Sequence, residues 1–269
     1  MAIFRKDPCG FFCILMTYGA VLYADYVVVR WIILQTMQGS LWGSVHVFLF
    51  NTIILLLFLS HARAVFSDPG IVPLPTHRIE FSDSHSDGGS IAPREDWTIC
   101  TRCEMYRPPR AHHCRICKHC IRKMDHHCPW INNCVGERNQ KYFIQFLLYV
   151  GLLSMYAVCL VAWSWYTDCQ GCAKDKRIHE TRVLHSILVS MESFLFGLFV
   201  ITIACDQFVG IFSDETMVEQ VKKQGSFRPR KPKLALLAEV FGRGHPVMWV
   251  FPCETGQRYT VEPILNYDV

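Results

Sequence analysis

Residues 100–134 read CTRCEMYRPPRAHHCRICKHCIRKMDHHCPWINNC, a run holding seven cysteines and five histidines. Few aliphatic side chains interrupt them. Such a stretch cannot build an ordinary core, and a metal is needed to hold it together. Cys100/Cys103, Cys114/Cys117 and Cys117/Cys120 each have two residues between them, the spacing that lets two thiolates reach one tetrahedral zinc. One zinc takes four ligands and would strand most of these thiols. Two Cys3His sites take six cysteines and two histidines, leaving one thiol free. A free thiol held near a histidine is a candidate nucleophile. Spacing alone does not say which cysteine it is. Within DHHC (125–128), alternation along an extended strand puts His126 and Cys128 on one face and His127 on the other. The same alternation pairs Asp125 with His127, so a local bend is required if Asp125 is to serve His126.

The surroundings of this block are apolar. Residues 11–34 read FFCILMTYGAVLYADYVVVRWIIL, 41–66 contain FLFNTIILLLFL, 142–166 read YFIQFLLYVGLLSMYAVCLVAWSWY, and 184–212 contain FLFGLFVITIAC. Each reaches the roughly 20 residues that span a bilayer as a helix. Buried helices of a soluble bundle would show polar faces, and these show almost none. The predicted fold is therefore an α-helical membrane protein. It has four transmembrane helices and a cytosolic Cys/His-rich domain, binding two zincs, between helices 2 and 3. The expected divisions are an N-tail (1–10), helices 1 and 2 (11–66), a Ser/Asp/Gly-rich linker (67–96), the zinc domain (97–141), helices 3 and 4 (142–212) and a C-terminal tail (213–269). Lysine and arginine crowd the second loop and the tail around 222–233, and Arg5 and Lys6 precede the first helix. The positive-inside rule then places both termini and the zinc domain in the cytosol. The net charge of +4 fits an anionic leaflet of the lipid bilayer. No nucleic-acid motif accompanies it. A cytosolic loop stays reduced, which favours metal or catalysis over disulfides for its cysteines. Cys169 and Cys172 fall in the lumenal loop, where a disulfide and two unpaired thiols are equally open readings.

The chain resembles the DHHC-type protein S-acyltransferases (palmitoyltransferases). The resemblance rests on Cys100-x2-Cys103, His113-Cys114-x2-Cys117-x2-Cys120, Asp125-His126-His127-Cys128, Cys134, Gly136, Asn139 and Phe143, with Asp68-Pro69-Gly70 after the second helix. It covers most of the chain and looks most like the short, Golgi-type members. It implies two interleaved structural zincs, one on Cys100, Cys103, His113 and Cys120, the other on Cys114, Cys117, His127 and Cys134. It leaves Cys128 as nucleophile, with His126 as base and Asp125 orienting it. It further implies acyl-CoA (palmitoyl-CoA) as co-substrate, and substrate proteins with membrane-proximal cysteines. A multi-pass location in the Golgi membrane, or the endoplasmic reticulum, is also implied. Two family motifs are altered. Met217 stands where a second threonine is usual in Thr216-Met217-Val218-Glu219, and Leu236 replaces an asparagine ahead of Val240-Phe241-Gly242.

Four further residues are expected around the acyl-CoA. Trp130, two residues after the nucleophile, is placed to cover the chain near the thioester. Leu153 lies about 16 Å into helix 3 at the usual rise, where it could cap an acyl cavity. Arg138 and Lys141, at the membrane edge, could meet CoA phosphates, with simple anchoring as the alternative. Asp25, Glu192 and Asp206 interrupt apolar runs, and intramembrane charges are functional candidates. They could line the cavity or pair with Arg30. Cys9 and Cys13 beside helix 1 could be acylated or be bystanders. Tyr267-Asp268-Val269 offers a carboxylate suited to a PDZ-type groove. Two other function classes are weaker. A non-catalytic membrane adaptor whose zinc block binds partners leaves DHHC unexplained, its RING-type ubiquitin-ligase variant does not fit the ligand order, and an ion transporter leaves the whole Cys/His block unexplained.

Overall fold

The structure is a computed structural model, and it describes residues 7–74, 97–167, 175–223 and 229–254. The linker from 76 to 96, Cys169, Cys172 and the C-terminal tripeptide lie outside those residues. Four helices are long and apolar enough to cross a membrane. They are α1 (Pro8–Thr36), α2 (Leu41–Phe66), α3 (Gln140–Tyr166) and α4 (Lys176–Ser213). Their outer faces carry exposed Phe12, Phe48, Leu55, Met155, Phe194 and Leu195. In water such a surface would be a large aggregation-prone patch, whereas lipid solvates it.

Both α1 and α4 start earlier than the apolar runs. Asp7 caps α1, its carboxylate accepting from the Gly10 N–H, and Pro8 takes the first helical position. Asp175 caps α4 in the same way through the Arg177 N–H, so Lys176, Arg177 and Arg182 are helical rather than part of a loop. Inside α1, Val28–Ile33 forms a π-helical stretch. Arg30 lies over the Trp31 ring. Among the described residues it makes no ion pair with Asp25, contrary to that expectation.

The Cys/His block folds as three antiparallel hairpins of three-residue strands. β1 (Thr98–Cys100) pairs with β2 (Met105–Arg107), β3 (His112–Cys114) with β4 (His119–Ile121), and β5 (His126–Cys128) with β6 (Asn133–Val135). The apolar clusters inside the block consist largely of the cysteines themselves, with Val72, Met105, Ala111, Ile121 and Met124. The block is docked firmly. Asp68 accepts from the Gly70 and Ile71 N–H groups and pairs with Arg138 at 2.7 Å. A Cβ on Gly136 would lie 2.4 Å from the Pro69 carbonyl, so that close approach requires glycine. Asn133 donates to the carbonyls of Ala64, Val65 and Ser67, satisfying the end of α2. Asn139 ties Cys134 and Gly136 to the start of α3. Cys128, Ile131 and Val135 thereby join the core of the helical bundle itself.

After α4 come α5 (Met217–Lys222) and α6 (Lys233–Phe241). Leu236 packs with Ile144, Ile211 and Phe241 in a small apolar cluster. The unusual leucine thus braces the tail by burial. Pro246–Trp249 forms a 3-10 turn whose neighbourhood is pinned by Gln145 and Tyr149, which donate to the carbonyls of Trp249, Phe251 and Val250.

Candidate active site and metal centres

Strand pairing assembles the two Cys/His groups. His113 faces Cys120 across the second hairpin, and His127 faces Cys134 across the third. Cys100, at the end of β1, and Cys103, in the turn of that hairpin, complete one group; Cys114 and Cys117, from the second hairpin, complete the other. In each set all four donor atoms lie within 4.8 Å of one another. Adjacent His113 and Cys114 point to opposite faces of β3, which is how one strand serves two groups.

The donor atoms fit zinc. A tetrahedral ion with Zn–S of about 2.3 Å and Zn–N of about 2.0–2.1 Å separates its ligand atoms by about 3.4–3.8 Å. Observed separations are 3.4 Å for Cys117–Cys134 sulfurs, 3.8 Å for Cys103–Cys120 sulfurs, and 3.2 to 3.8 Å from the histidine Nδ1 atoms to cysteine sulfurs. These gaps are too long for a disulfide. With four protein donors each, the two sites would be closed structural sites.

Cys128 takes part in neither group. It is buried on the opposite face of β5 from His127, next to His126. The His126 Nδ1 meets Asp125 Oδ2 at 2.7 Å, and Cys128 lies two residues along β5, on the same face of the strand as His126. Asp125 precedes β5, where strand alternation no longer applies. This is how it reaches His126 rather than His127. Its carboxylate also accepts from the Gln207 side chain at 2.8 Å and the Met217 N–H at 2.7 Å. Burial alone would raise the Asp125 pKa, but these three bonds hold the carboxyl below its ordinary range. Burial likewise opposes charge on His126, but Asp125 and Cys128 outweigh it and push its pKa up to about 9. The arrangement can therefore hold an imidazolium beside Cys128.

Met217 takes part through its backbone N–H, which bonds Asp125. The bond to Asp125 comes from the backbone at the start of α5, which any non-proline residue supplies. Thr216 caps that helix in a reciprocal box with Glu219. Arg110 grips Glu219 through two bonds of 2.8 and 2.9 Å, and Asp214 at 2.8 Å.

Cys128 opens onto an apolar cavity between the helices. Thr17, Val21 and Ala24 of α1, Leu57 of α2, Phe143, Phe146, Leu153 and Ala157 of α3, and Glu192, Phe196 and Val200 of α4 line it. Trp130 lines it beside Cys128, its ring against Phe196 and Phe199. Leu153 and Glu192, both expected candidates, are among its lining residues. Asp206 does not line it.

Of the two residues expected near CoA phosphates, each has protein partners. Lys141 is buried, its ammonium donating to the carbonyls of Met248 and Cys253, and so braces the tail. Arg138 is half-buried on Asp68. Sequence reasoning missed His61 and Gln207. His61 is fully buried in α2, contacting Tyr18 Oη through Nδ1 at 3.3 Å and the Trp130 carbonyl through Nε2 at 3.0 Å. It ties the turn after Cys128 to two helices. A histidine in an apolar run was the available signal.

A family model described as DHHC palmitoyltransferase matches residues 94–224. Palmitoyltransferase ZDHHC3 of Homo sapiens is 36% identical over 97% of this chain and 86% of its own length. Palmitoyltransferase ZDHHC7 of Mus musculus is 34% identical over 93% of the chain and 80% of its own length. The probable protein S-acyltransferase 12 of Arabidopsis thaliana is 32% identical over 90% and 87%. A double Cys/His block, a thiol left outside both groups and these relatives together establish that the chain belongs to the DHHC palmitoyltransferase family.

Proposed function

We propose that the protein moves a long-chain fatty acyl group from acyl-CoA to cysteine thiols of membrane-associated proteins, through an acyl group carried on Cys128. One observation carries this reading: the one cysteine of the block outside the two Cys/His groups shares a strand face with His126 of a bonded Asp125–His126 pair and lines an apolar cavity. His126 takes the Cys128 proton, and Asp125 orients the ring and stabilises the imidazolium. The thiolate attacks the thioester carbonyl, and the CoA sulfur leaves with the proton from His126. An acceptor thiol then gives its proton to His126 and attacks the acyl-cysteine, and Cys128 departs as the thiolate. The helical cavity keeps the acyl chain from water, with Trp130 over its start and Leu153 toward its end.

Cys100, Cys103, His113 and Cys120 would hold one zinc, and Cys114, Cys117, His127 and Cys134 the other. Zinc there supplies scaffolding, since no open coordination position remains for a reactant. The basic second loop and tail support a cytosolic site, and the likeness to short members supports the Golgi membrane. Arg138 remains the residue proposed for a CoA phosphate. The C-terminal carboxylate is proposed for a PDZ-type partner.

The test is to incubate the purified chain with labelled palmitoyl-CoA and assay hydroxylamine-sensitive label. The wild type should label and Cys128→Ser should not. Equal labelling of the two would refute the assignment of the nucleophile.

A further inference from the structure

Two cysteines outside the block sit where the mechanism above has no use for them. The first turns of α1 pack on Pro129–Ile131, the turn that directly follows Cys128. At Gly10 the approach is so close that a Cβ would lie 2.3 Å from Asn132 Oδ1. One turn deeper is Cys13. Two turns deeper is Thr17, whose hydroxyl donates to the Cys13 carbonyl at 2.9 Å and which lines the same cavity as Cys128. Gly10 and Thr17 are both buried, and Cys13 lies between them on the same side of the helix. Cys13 is thus flanked above and below by contacts with the surroundings of Cys128. Cys9 lies one turn before Cys13 on the same side of α1. Cys13 is half-buried and Cys9 exposed, and neither is in a disulfide or in a Cys/His group.

We propose that Cys13, with Cys9 one turn outward, is an internal acyl acceptor: the acyl group loaded on Cys128 moves onto α1 by thiol exchange. The inference rests on the acyl-Cys128 reading. In the step, the Cys13 sulfur attacks the thioester carbonyl of acyl-Cys128. A new S–C bond forms at Cys13, the S–C bond at Cys128 breaks, and the Cys13 proton passes to Cys128 by way of His126. No oxidant, reductant or further co-reactant enters. One thioester replaces another, so the step is close to balanced, and proximity supplies the rate. A second exchange carries the group from Cys13 to Cys9. The gain lies in solvation. Exposed Phe11, Phe12 and Leu15 show that this part of α1 has an apolar outer face. An acyl chain transferred there can leave the cavity and lie along the helix, and Cys128 is free to load again.

The test uses the purified full-length chain, alkyne-tagged palmitoyl-CoA and peptide mapping of hydroxylamine-sensitive label. We expect label on Cys128 and on Cys13 or Cys9 in the wild type, and about a twofold fall in total label in Cys9→Ser/Cys13→Ser, with Cys128 still labelled. In Cys128→Ser no α1 cysteine should label, even when that variant is mixed with tagged-apart wild type. Label on Cys128 alone in the wild type overturns the proposal, and this outcome needs no variant to fold. So does α1 label in isolated Cys128→Ser, which would be direct reaction with the thioester. Label reaching Cys128→Ser only from added wild type would make the transfer intermolecular and likewise overturn it. Absence of label from Cys128 in every sample would instead sink the acyl-Cys128 reading on which the proposal stands.

Discussion

The two Cys/His groups have the same composition and reach the active site by different routes. The second group owns His127, which sits between His126 and Cys128 on β5. Fixing His127 on one face of that strand fixes the two proposed catalytic side chains on the other. The first group touches none of them. It closes the hairpins on either side of Arg110, and Arg110 holds Glu219. Glu219 completes the cap that starts α5, and the first N–H of α5 bonds Asp125. One group acts by strand geometry within a residue, the other through a chain of four contacts. Position relative to the nucleophile, rather than ligand type, should therefore set the cost of losing each.

The largest effect should come from Cys134→Ser. It should release one metal per chain and reduce autoacylation to background, read by metal analysis alongside palmitoyl labelling. Cys100→Ser should also release one metal, yet keep measurable labelling, with a loss of about 10- to 100-fold. Equal losses in the two variants would remove the distinction between the routes. Breaking the relay itself should cost less. Arg110→Gln removes the guanidinium that pairs with Glu219 and Asp214, whose side chains are 3% and 14% exposed. Stability should fall by about 2–4 kcal/mol in unfolding of the solubilised protein, because a largely buried charge loses its partner. An unchanged midpoint would show that the ion pair is not the link.

The smallest effect is a shift with pH. His126 is raised above its ordinary 6.5 to about 9. Its stabilising charge is thus complete below about 6.5 and is lost as pH rises through about 9. Asp125→Asn removes a raising partner. In that variant the alkaline decline of labelling should move to lower pH by about one unit or more. A decline that stays in place would detach Asp125 from His126.

Much of this architecture is legible in the sequence, for local reasons. Continuous apolar runs identify four helices because lipid leaves the backbone no other partner. The division of β5 into a metal face and a chemical face follows from alternation over three residues. Other parts depend on contacts across the chain. Arg110 and Glu219 are 109 positions apart, and neither has a pattern that announces the other. Lys141 looks like a membrane-edge cation, yet it is buried because the tail folds back to offer carbonyls. Met217 looks like a defect only when side chains are read, since the bond it supplies is from the backbone. His61 was visible as a polar residue in an apolar helix, but its partner, the Trp130 carbonyl, lies 69 residues away.

The central claim is that adjacent histidines on β5 do different work. It is tested most directly by preparing His126→Ala and His127→Ala side by side and measuring bound zinc and palmitoyl label in each. His126→Ala should keep about two zincs per chain and lose most of its label, while His127→Ala should lose zinc. A His126→Ala protein that sheds metal, beside a His127→Ala protein that keeps both zincs and fails only in acylation, would contradict the account.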